Sequence, residues 1–247
     1  MGMTGGCMCG AVRFELKSEP FDCGWCHCRT CQLSSGAPAQ AELAVLSDYA
    51  PMSPRLGFAA AAALPAAVET AARALEQLGV EGGSTVLING ASGSVGSAAV
   101  QLAMARGARV IGTGSPATHD FLRSLGAEPV AYGYGMAPQV RALAPGGVDL
   151  ALDVAGSGVL SELIELAGDR EHVVTIADVA GAQRHGVRFG RGDSGRAIYA
   201  LAQIRDLLES GRFTVWVGQT FPLIDVAAAH QVGEAGRVRG KLVLLVE

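Results

Sequence analysis

Cysteine disappears from this 247-residue chain after Cys31, which confines any thiol or thiolate chemistry to its N-terminal end. Lysine is nearly absent as well. Only Lys17 and Lys241 occur against many arginines, a bias read as codon usage rather than function. There is no basic block and the formal net charge is −4, which argues against nucleic acid or an anionic membrane as the main partner. Apolar stretches are interrupted by charge or glycine well before the roughly 18 residues that a bilayer span requires. No charged segment followed by an apolar core stands at the start, so no secretion leader is expected and the cytoplasm is the default location.

What is present suits a large buried core: 49% of residues are hydrophobic and 17% charged. The length fits one large domain, or a medium domain with an appendage. Three regions are expected: 1–38, cysteine-rich; 39–57, a linker with one strand at 41–47; and 58–247, a single α/β domain.

The centre of that domain is the stretch from Thr85 to Thr113. Val86, Leu87 and Ile88 form a short apolar strand, followed by Gly90-Ala91-Ser92-Gly93-Ser94-Val95-Gly96. A small-residue helix comes next, then a second strand from Arg109 to Thr113. Glycines placed between a strand and a helix let the backbone turn tightly and approach a pyrophosphate, whose charge the free N–H groups of the helix N-terminus accept. The plainer reading of Gly90 is a tight turn, and of Thr70 a helix hydroxyl bonded to its own backbone.

Strand and helix continue to alternate through the chain, predicting a Rossmann-like, doubly wound, mostly parallel sheet. Pro65 divides two helices, and Gly79 suits the end of the second. Helices are expected over 118–125, 137–143, 159–167, 197–208 and 225–232. Strands are expected over 129–132, 148–154, 172–177, 213–217 and 242–246. Residues 181–195 read as a polar, mobile loop. Asp153 and Asp178, at strand ends, read mainly as caps of the following turns. His172, His185 and His230 read as structural, and no Ser/His/Asp or paired-carboxylate site is apparent.

At the N-terminus all six cysteines lie between Cys7 and Cys31. Cys7-x-Cys9 and Cys26-x-Cys28-x-x-Cys31 put several thiolates close enough to share a tetrahedral zinc. Reduced, unmetallated cysteines are the alternative, and Cys23 is an additional thiol. His27 lies in the same cluster and is as readily exposed as ligating.

These N-terminal residues, with Ser35-Gly36-Ala37-Pro38, resemble the start of the glutathione-dependent formaldehyde-activating family. The resemblance implies that Cys7 and Cys9 are half of a structural zinc site and that Cys26, Cys28 and Cys31 are the ligands of a catalytic one. The later Cys-x-x-Cys of that family has no counterpart here.

The rest resembles the zinc-free, quinone-oxidoreductase-like branch of the medium-chain dehydrogenase/reductase superfamily. The matching stretches include Ala62-Ala63-Leu64-Pro65, Val86 to Gly96, Leu125-Gly126-Ala127, Gly147-Val148-Asp149, Phe221-Pro222-Leu223 and Gly240-Lys241-Leu242-Val243-Leu244. The resemblance implies NADP as cofactor, cradled by Gly90, Ala91, Gly93, Ser94, Val95 and Gly96. Ser115, Thr118 and His119 become candidate partners of the 2′-phosphate, since no acid ends the second strand. Tyr132 and Lys241 match phosphate-contacting positions, and Thr70 one near the nicotinamide. The arginine that relatives often place in the turn after the second strand is replaced by Ala117.

The implied reaction is hydride transfer from NADPH to a quinone or an α,β-unsaturated carbonyl. The family's catalytic domain is represented only by the strand at 41–47, which leaves two alternatives: a catalytically inactive NADP-binding module, and a zinc or thiol carbon–sulfur lyase acting on glutathione adducts. The surface over 58–67, lacking its catalytic partner, is expected to be apolar and able to drive homodimerisation.

Overall fold

The computed structural model describes residues 56–133, 135–190, 196–236 and 238–245, with four short strands at 4–6, 13–15, 22–26 and 40–44. The chain divides into two compact units, Met1–Pro51 and Met52–Glu247. In the first, β1 (Thr4–Gly6) pairs antiparallel with β2 (Arg13–Glu15), and β3 (Asp22–Cys26) with β4 (Gln40–Ala44). β4 is the strand expected at 41–47, and its register sets Cys26 opposite Gln40. Cys7, Cys9, Cys28 and Cys31 lie outside the described residues, so their metal-ligand role stays an expectation.

The second unit opens with α1 (Phe58–Ala63) and α2 (Pro65–Leu78). Pro65 starts α2 where its missing N–H costs nothing, and Gly79, at φ 69°, closes it in the left-handed region that glycine enters freely. Phe58–Leu78 together are 21 residues long and contain an 18-residue window with a mean hydropathy of 1.2, enough by length and composition alone to cross a membrane. Glu69, Arg73 and Glu76 interrupt the run, the first of them 11 residues in, and Glu69 and Arg73 pair with each other at 2.8 Å.

There follow β5 (Thr85–Asn89), α3 (Ser94–Ala105), β6 (Arg109–Gly114), α4 (His119–Ser124), β7 (Glu128–Ala131), α5 (Met136–Leu143), β8 (Leu150–Asp153), α6 (Leu160–Ala167), β9 (Val173–Thr175), α7 (Val179–His185) and β10 (Arg188–Phe189). The six strands form one parallel sheet in the order β10-β9-β8-β5-β6-β7. Successive side chains leave a strand on opposite faces. Val86, Ile88, Val110, Leu152 and Val174 join one core, with α2, α3 and α8 (Tyr199–Glu209). Leu87, Ile111 and Ala151 join the other, with α5 and α6. The sheet is therefore covered on both faces, as a run of apolar strands requires.

Two expectations change. The segment expected as a mobile loop over 181–195 is ordered through residue 190. Asp178 Oδ1 accepts from Gly181 N at 2.7 Å to cap α7, Ala182 and Val187 are buried, and Arg188 pairs with Val174. Glycine content hid a short helix with a good cap; residues 191–195 lie outside the described residues. The strand expected over 213–217 is instead irregular up to Trp216, and β11 runs Val217–Pro222, parallel to β12 (Lys241–Leu245). Phe213 is buried and Thr214 is held by Gln101, so side-chain packing fixes that stretch without a ladder. α9 (Val226–Ala235) lies between the two strands in sequence, and the other boundaries shift by only a few residues.

The surface over 58–67 is also only partly as expected. Phe58 is 84% exposed, but Ala63, Leu64 and Ala67 are buried in the unit's own interior.

Candidate functional site

β5, β6, β8 and β9 all point their C-terminal ends to one edge of the sheet, where ligands of open α/β sheets bind. The glycine turn occupies the centre of that edge. Gly90 takes φ 84°, and a Cβ on it would come within 2.9 Å of Ala155 Cβ. A Cβ on Gly96 would meet Gly90 O at 2.2 Å, so helix α3 starts in backbone-to-backbone contact with the turn. Ala91 is buried against β6, where a Cβ on Gly112 would touch its methyl at 2.8 Å. Gly93 differs: the nearest atom to its would-be Cβ is Gly90 O at 3.5 Å. Gly93 leaves that side of the turn open, and no side chain caps the helix it precedes. The N–H groups of Ser94, Val95 and Gly96 thus lack the intrahelical partners that later residues have.

Buried hydrogen bonds hold this turn from below. Thr113 Oγ1 accepts from Gly90 N at 2.9 Å and donates to Asn89 Oδ1 at 2.8 Å. Asn89 Nδ2 donates to Asp153 Oδ1 at 2.9 Å and to Ser157 Oγ at 3.1 Å. Asp153 Oδ1 also accepts from Ala155 N and Gly156 N, at 3.1 and 3.0 Å, so the expected cap is present. Asp153 Oδ2 accepts from Thr175 Oγ1 at 2.8 Å. The chain of bonds runs across four neighbouring strands and ends on the backbone that carries the turn.

The second turn, after β6, lies beside the first. A Cβ on Gly114 would be 3.5 Å from Ser92 Oγ and 2.4 Å from Thr118 Oγ1. Thr118 Oγ1 donates to Ser115 O at 2.8 Å. Tyr132, 62% exposed, donates its backbone N–H to Gly114 O at 3.3 Å. Ser115, Thr118 and Tyr132 therefore gather around Gly114. His119 follows them, its Nε2 buried and without a hydrogen-bond partner.

Lys241 reaches the site from the other end of the chain. With Ser94, Ser97, Gln101 and Trp216 it lines a narrow cleft with about 20 Å³ of free space, room for roughly one water. Thr70 does not join that cleft. It is half-buried on α2, where its hydroxyl donates to Glu69 Oε2 at 3.3 Å rather than to its own backbone. Burial raises the Glu69 carboxyl, but hydrogen bonds from Arg73 and Ala197 N outweigh it and leave the group below the usual carboxylate range. His172 Nδ1 lies 3.1 Å from Ala167 O, consistent with a structural role. Among the described residues no cluster of three or more His, Cys, Asp or Glu side chains could hold a metal.

The comparisons with known proteins agree with this geometry. Residues 125–244 match the family model described as zinc-binding dehydrogenase, and residues 2–54 match that of the glutathione-dependent formaldehyde-activating enzyme. The quinone oxidoreductase of Coxiella burnetii superposes with a TM-score of 0.67 at 30% identity, over 85% of this chain and 67% of that one. The chain belongs to the medium-chain dehydrogenase/reductase superfamily. Among curated relatives, the spectinabilin polyketide synthase system protein NorB of Streptomyces orinoci is 36% identical over 210 residues, covering 79% of this chain and 10% of NorB. The 2-methylene-furan-3-one reductase of Solanum lycopersicum is 32% identical over 193 residues, 76% of this chain and 47% of the reductase. The chain thus spans at most about half the length of either curated relative.

Membership of the medium-chain dehydrogenase/reductase superfamily implies a nicotinamide dinucleotide, and the residues present fit one. The open side of Gly93, the uncapped start of α3 and the absence of acid in its first turn form a cradle for a pyrophosphate. Sequence reading missed the Asn89–Thr113 bond beneath the glycine turn, and Arg239 against Ala117 in the turn after β6. The available signal for the first was a set of polar residues at the ends of otherwise apolar strands.

Proposed function

We propose that the second unit binds NADPH and transfers its hydride to a quinone or an α,β-unsaturated carbonyl. The observation that carries the reading is the glycine turn with its open Gly93 face, next to a second strand that ends in Gly114-Ser115 without an acid. A carboxylate there would bind the ribose hydroxyls and repel a 2′-phosphate. The names of the similar proteins, an enone-type reductase and a quinone oxidoreductase, support the substrate class.

The bound dinucleotide would supply the hydride. This chain's part is to bind and orient it. Gly90, Ala91, Gly93, Ser94, Val95 and Gly96 would take the pyrophosphate, and Ser115, Thr118 and His119 the adenosine end. Tyr132 and Lys241 would contact phosphate oxygens, and Thr70 would stand toward the nicotinamide.

Titration of the purified protein with NADPH, followed by nicotinamide fluorescence, tests the binding step. No binding at high micromolar cofactor would overturn the reading. Turnover of a quinone and of an enone then separates a reductase from an NADP-binding module without activity. Phe58 is the exposed residue on which self-association would rest, and sedimentation across a concentration series checks it.

The match of residues 2–54 to the formaldehyde-activating family favours a second proposal, zinc held by Cys7, Cys9, Cys26, Cys28 and Cys31. Metal analysis that finds no zinc, with six titratable thiols, would sink it and with it a lyase acting on glutathione adducts.

A further inference from the structure

The turn after β6 carries no strong cation of its own. Ala117 stands in its middle, and Arg123, further along α4, is tied to Asp120 at 2.7 Å. A positive charge arrives from elsewhere. Arg239, in the segment just before β12, donates from Nη2 to Ala117 O at 3.4 Å. Its guanidinium carbon sits 4.9 Å from the centroid of the Phe121 ring, a cation–π distance. Phe121 is itself buried and meets Trp216 edge-on, centroids 4.8 Å apart at 69°. The ring thus gives the guanidinium a fixed platform.

A guanidinium has five N–H donors in a rigid fork, and here one is used on Ala117 O. Among the described residues no carboxylate pairs with Arg239. The bond to Ala117 O docks the guanidinium on the same short turn that carries Ser115 and Thr118, whose hydroxyl donates to Ser115 O. A planar cation with free donors next to hydroxyls suits a phosphate monoester, which it can grip through two oxygens.

We propose that Arg239 is the residue by which this chain selects a 2′-phosphorylated adenine dinucleotide over its unphosphorylated counterpart. The inference rests on the proposed cofactor role of this edge of the sheet. It adds that selectivity is set by a segment 122 residues beyond the turn it serves, docked there through Phe121. Removing Arg239 therefore acts on one phosphate and leaves the pyrophosphate cradle intact.

The test uses Arg239→Gln, which keeps a planar group to lie on Phe121 and removes the charge, with Arg239→Ala as a second variant. Dissociation constants for NADPH and NADH are measured by nicotinamide fluorescence, and competition by 2′,5′-ADP and by 5′-AMP is followed in parallel. Wild type is expected to prefer NADPH and 2′,5′-ADP. Both variants should lose roughly 10- to 100-fold in affinity for these two ligands, the worth of a charged hydrogen-bonding pair, while NADH and 5′-AMP change by less than about twofold. Thermal melts that stay within a few degrees of wild type would confirm that the fold is intact. Equal losses for phosphorylated and unphosphorylated ligands would show a structural role and overturn the assignment, as would no loss at all. Wild type that binds NADH as well as NADPH would overturn the assignment while leaving the dinucleotide reading standing. Wild type that binds neither cofactor would overturn both.

Discussion

Asn89 and Asp153 face each other at the ends of adjacent parallel strands, joined by a 2.9 Å hydrogen bond from the amide to the carboxylate. Both side chains are buried. A carboxylate so placed is stable only if its oxygens are well supplied with donors. Asp153 receives four: Asn89 Nδ2, Ala155 N, Gly156 N and Thr175 Oγ1. The amide of Asn89 passes the constraint to Thr113 and so to Gly90 N. A single carboxyl group thereby fixes two loops at once, the glycine turn and the loop after β8.

Asp153→Ala should therefore be costly. It leaves several buried donors unpaired, at about 1–3 kcal/mol each before relaxation. Asp153→Asn keeps one carbonyl oxygen and should cost less. Urea denaturation of both variants measures the difference. A double-mutant cycle with Asn89→Ala should show strong non-additivity, since the two share one network. Additive losses would mean that the bonds do not act as a unit.

Glycines 93 and 96 separate binding from folding. Gly96→Ala drives a methyl to within 2.2 Å of Gly90 O and should lower the melting temperature sharply, because backbone must move. Gly93→Ala has its nearest neighbour at 3.5 Å and a backbone that alanine adopts readily, so the fold should survive. The methyl would instead occupy the open side of the cradle. The expected pattern for Gly93→Ala is a near-native melt with at least about tenfold weaker NADPH binding, since close backbone approach to the pyrophosphate is lost. Unchanged affinity would place the pyrophosphate elsewhere.

Much of this was legible in the sequence because short-range rules carried it. The strand-glycine-helix order around Val86 to Gly96 and the alternation of apolar strands with helices defined the sheet. Pro65 and Gly79 marked the ends of α2 as expected. The misreadings came where tertiary contacts outweighed local composition. Residues 181–190 look like a loop, yet Asp178 caps a helix there and β9 gives β10 a partner. Phe213 to Trp216 has strand composition but no neighbouring strand, and Gln101 satisfies its backbone instead. Arg239 could not be placed beside Ala117 by any periodicity, because 122 residues separate them.

Gln101 takes the place of a strand partner for that irregular stretch. Its Oε1 accepts from Thr214 N at 2.7 Å while its Nε2 donates to Thr214 O at 3.2 Å, the two bonds a neighbouring strand would have made. Gln101→Leu keeps the volume and removes both. The expected cost is about 1–3 kcal/mol, from a backbone N–H and carbonyl left unpaired in the interior. Trp216 lies two residues on and lines the same cleft as Gln101. Its fluorescence, read in a Trp25→Phe background, should shift to the red as the segment loosens. An unshifted spectrum with native stability would show that packing of Phe213 alone holds it.

Glu69 makes stability depend on acid. The carboxylate accepts from Arg73 Nε at 2.8 Å and from Ala197 N at 3.1 Å, tying α2 to the segment that leads into α8. Arg73 extends the tie by donating from Nη1 to Gly190 O at 2.9 Å. Burial opposes the charged form, but these bonds win and lower the carboxyl in the folded state. A lowered folded value means that the unfolded chain takes up the proton first. The contribution is then fully present above the unfolded carboxyl range and is lost as pH falls through the folded one. Glu69→Gln should remove this slope. Melting temperatures of wild type and variant, followed downward from neutral pH, should differ most above about pH 5 and converge in acid. Parallel curves across the whole range would show that Glu69 does not change its protonation on unfolding.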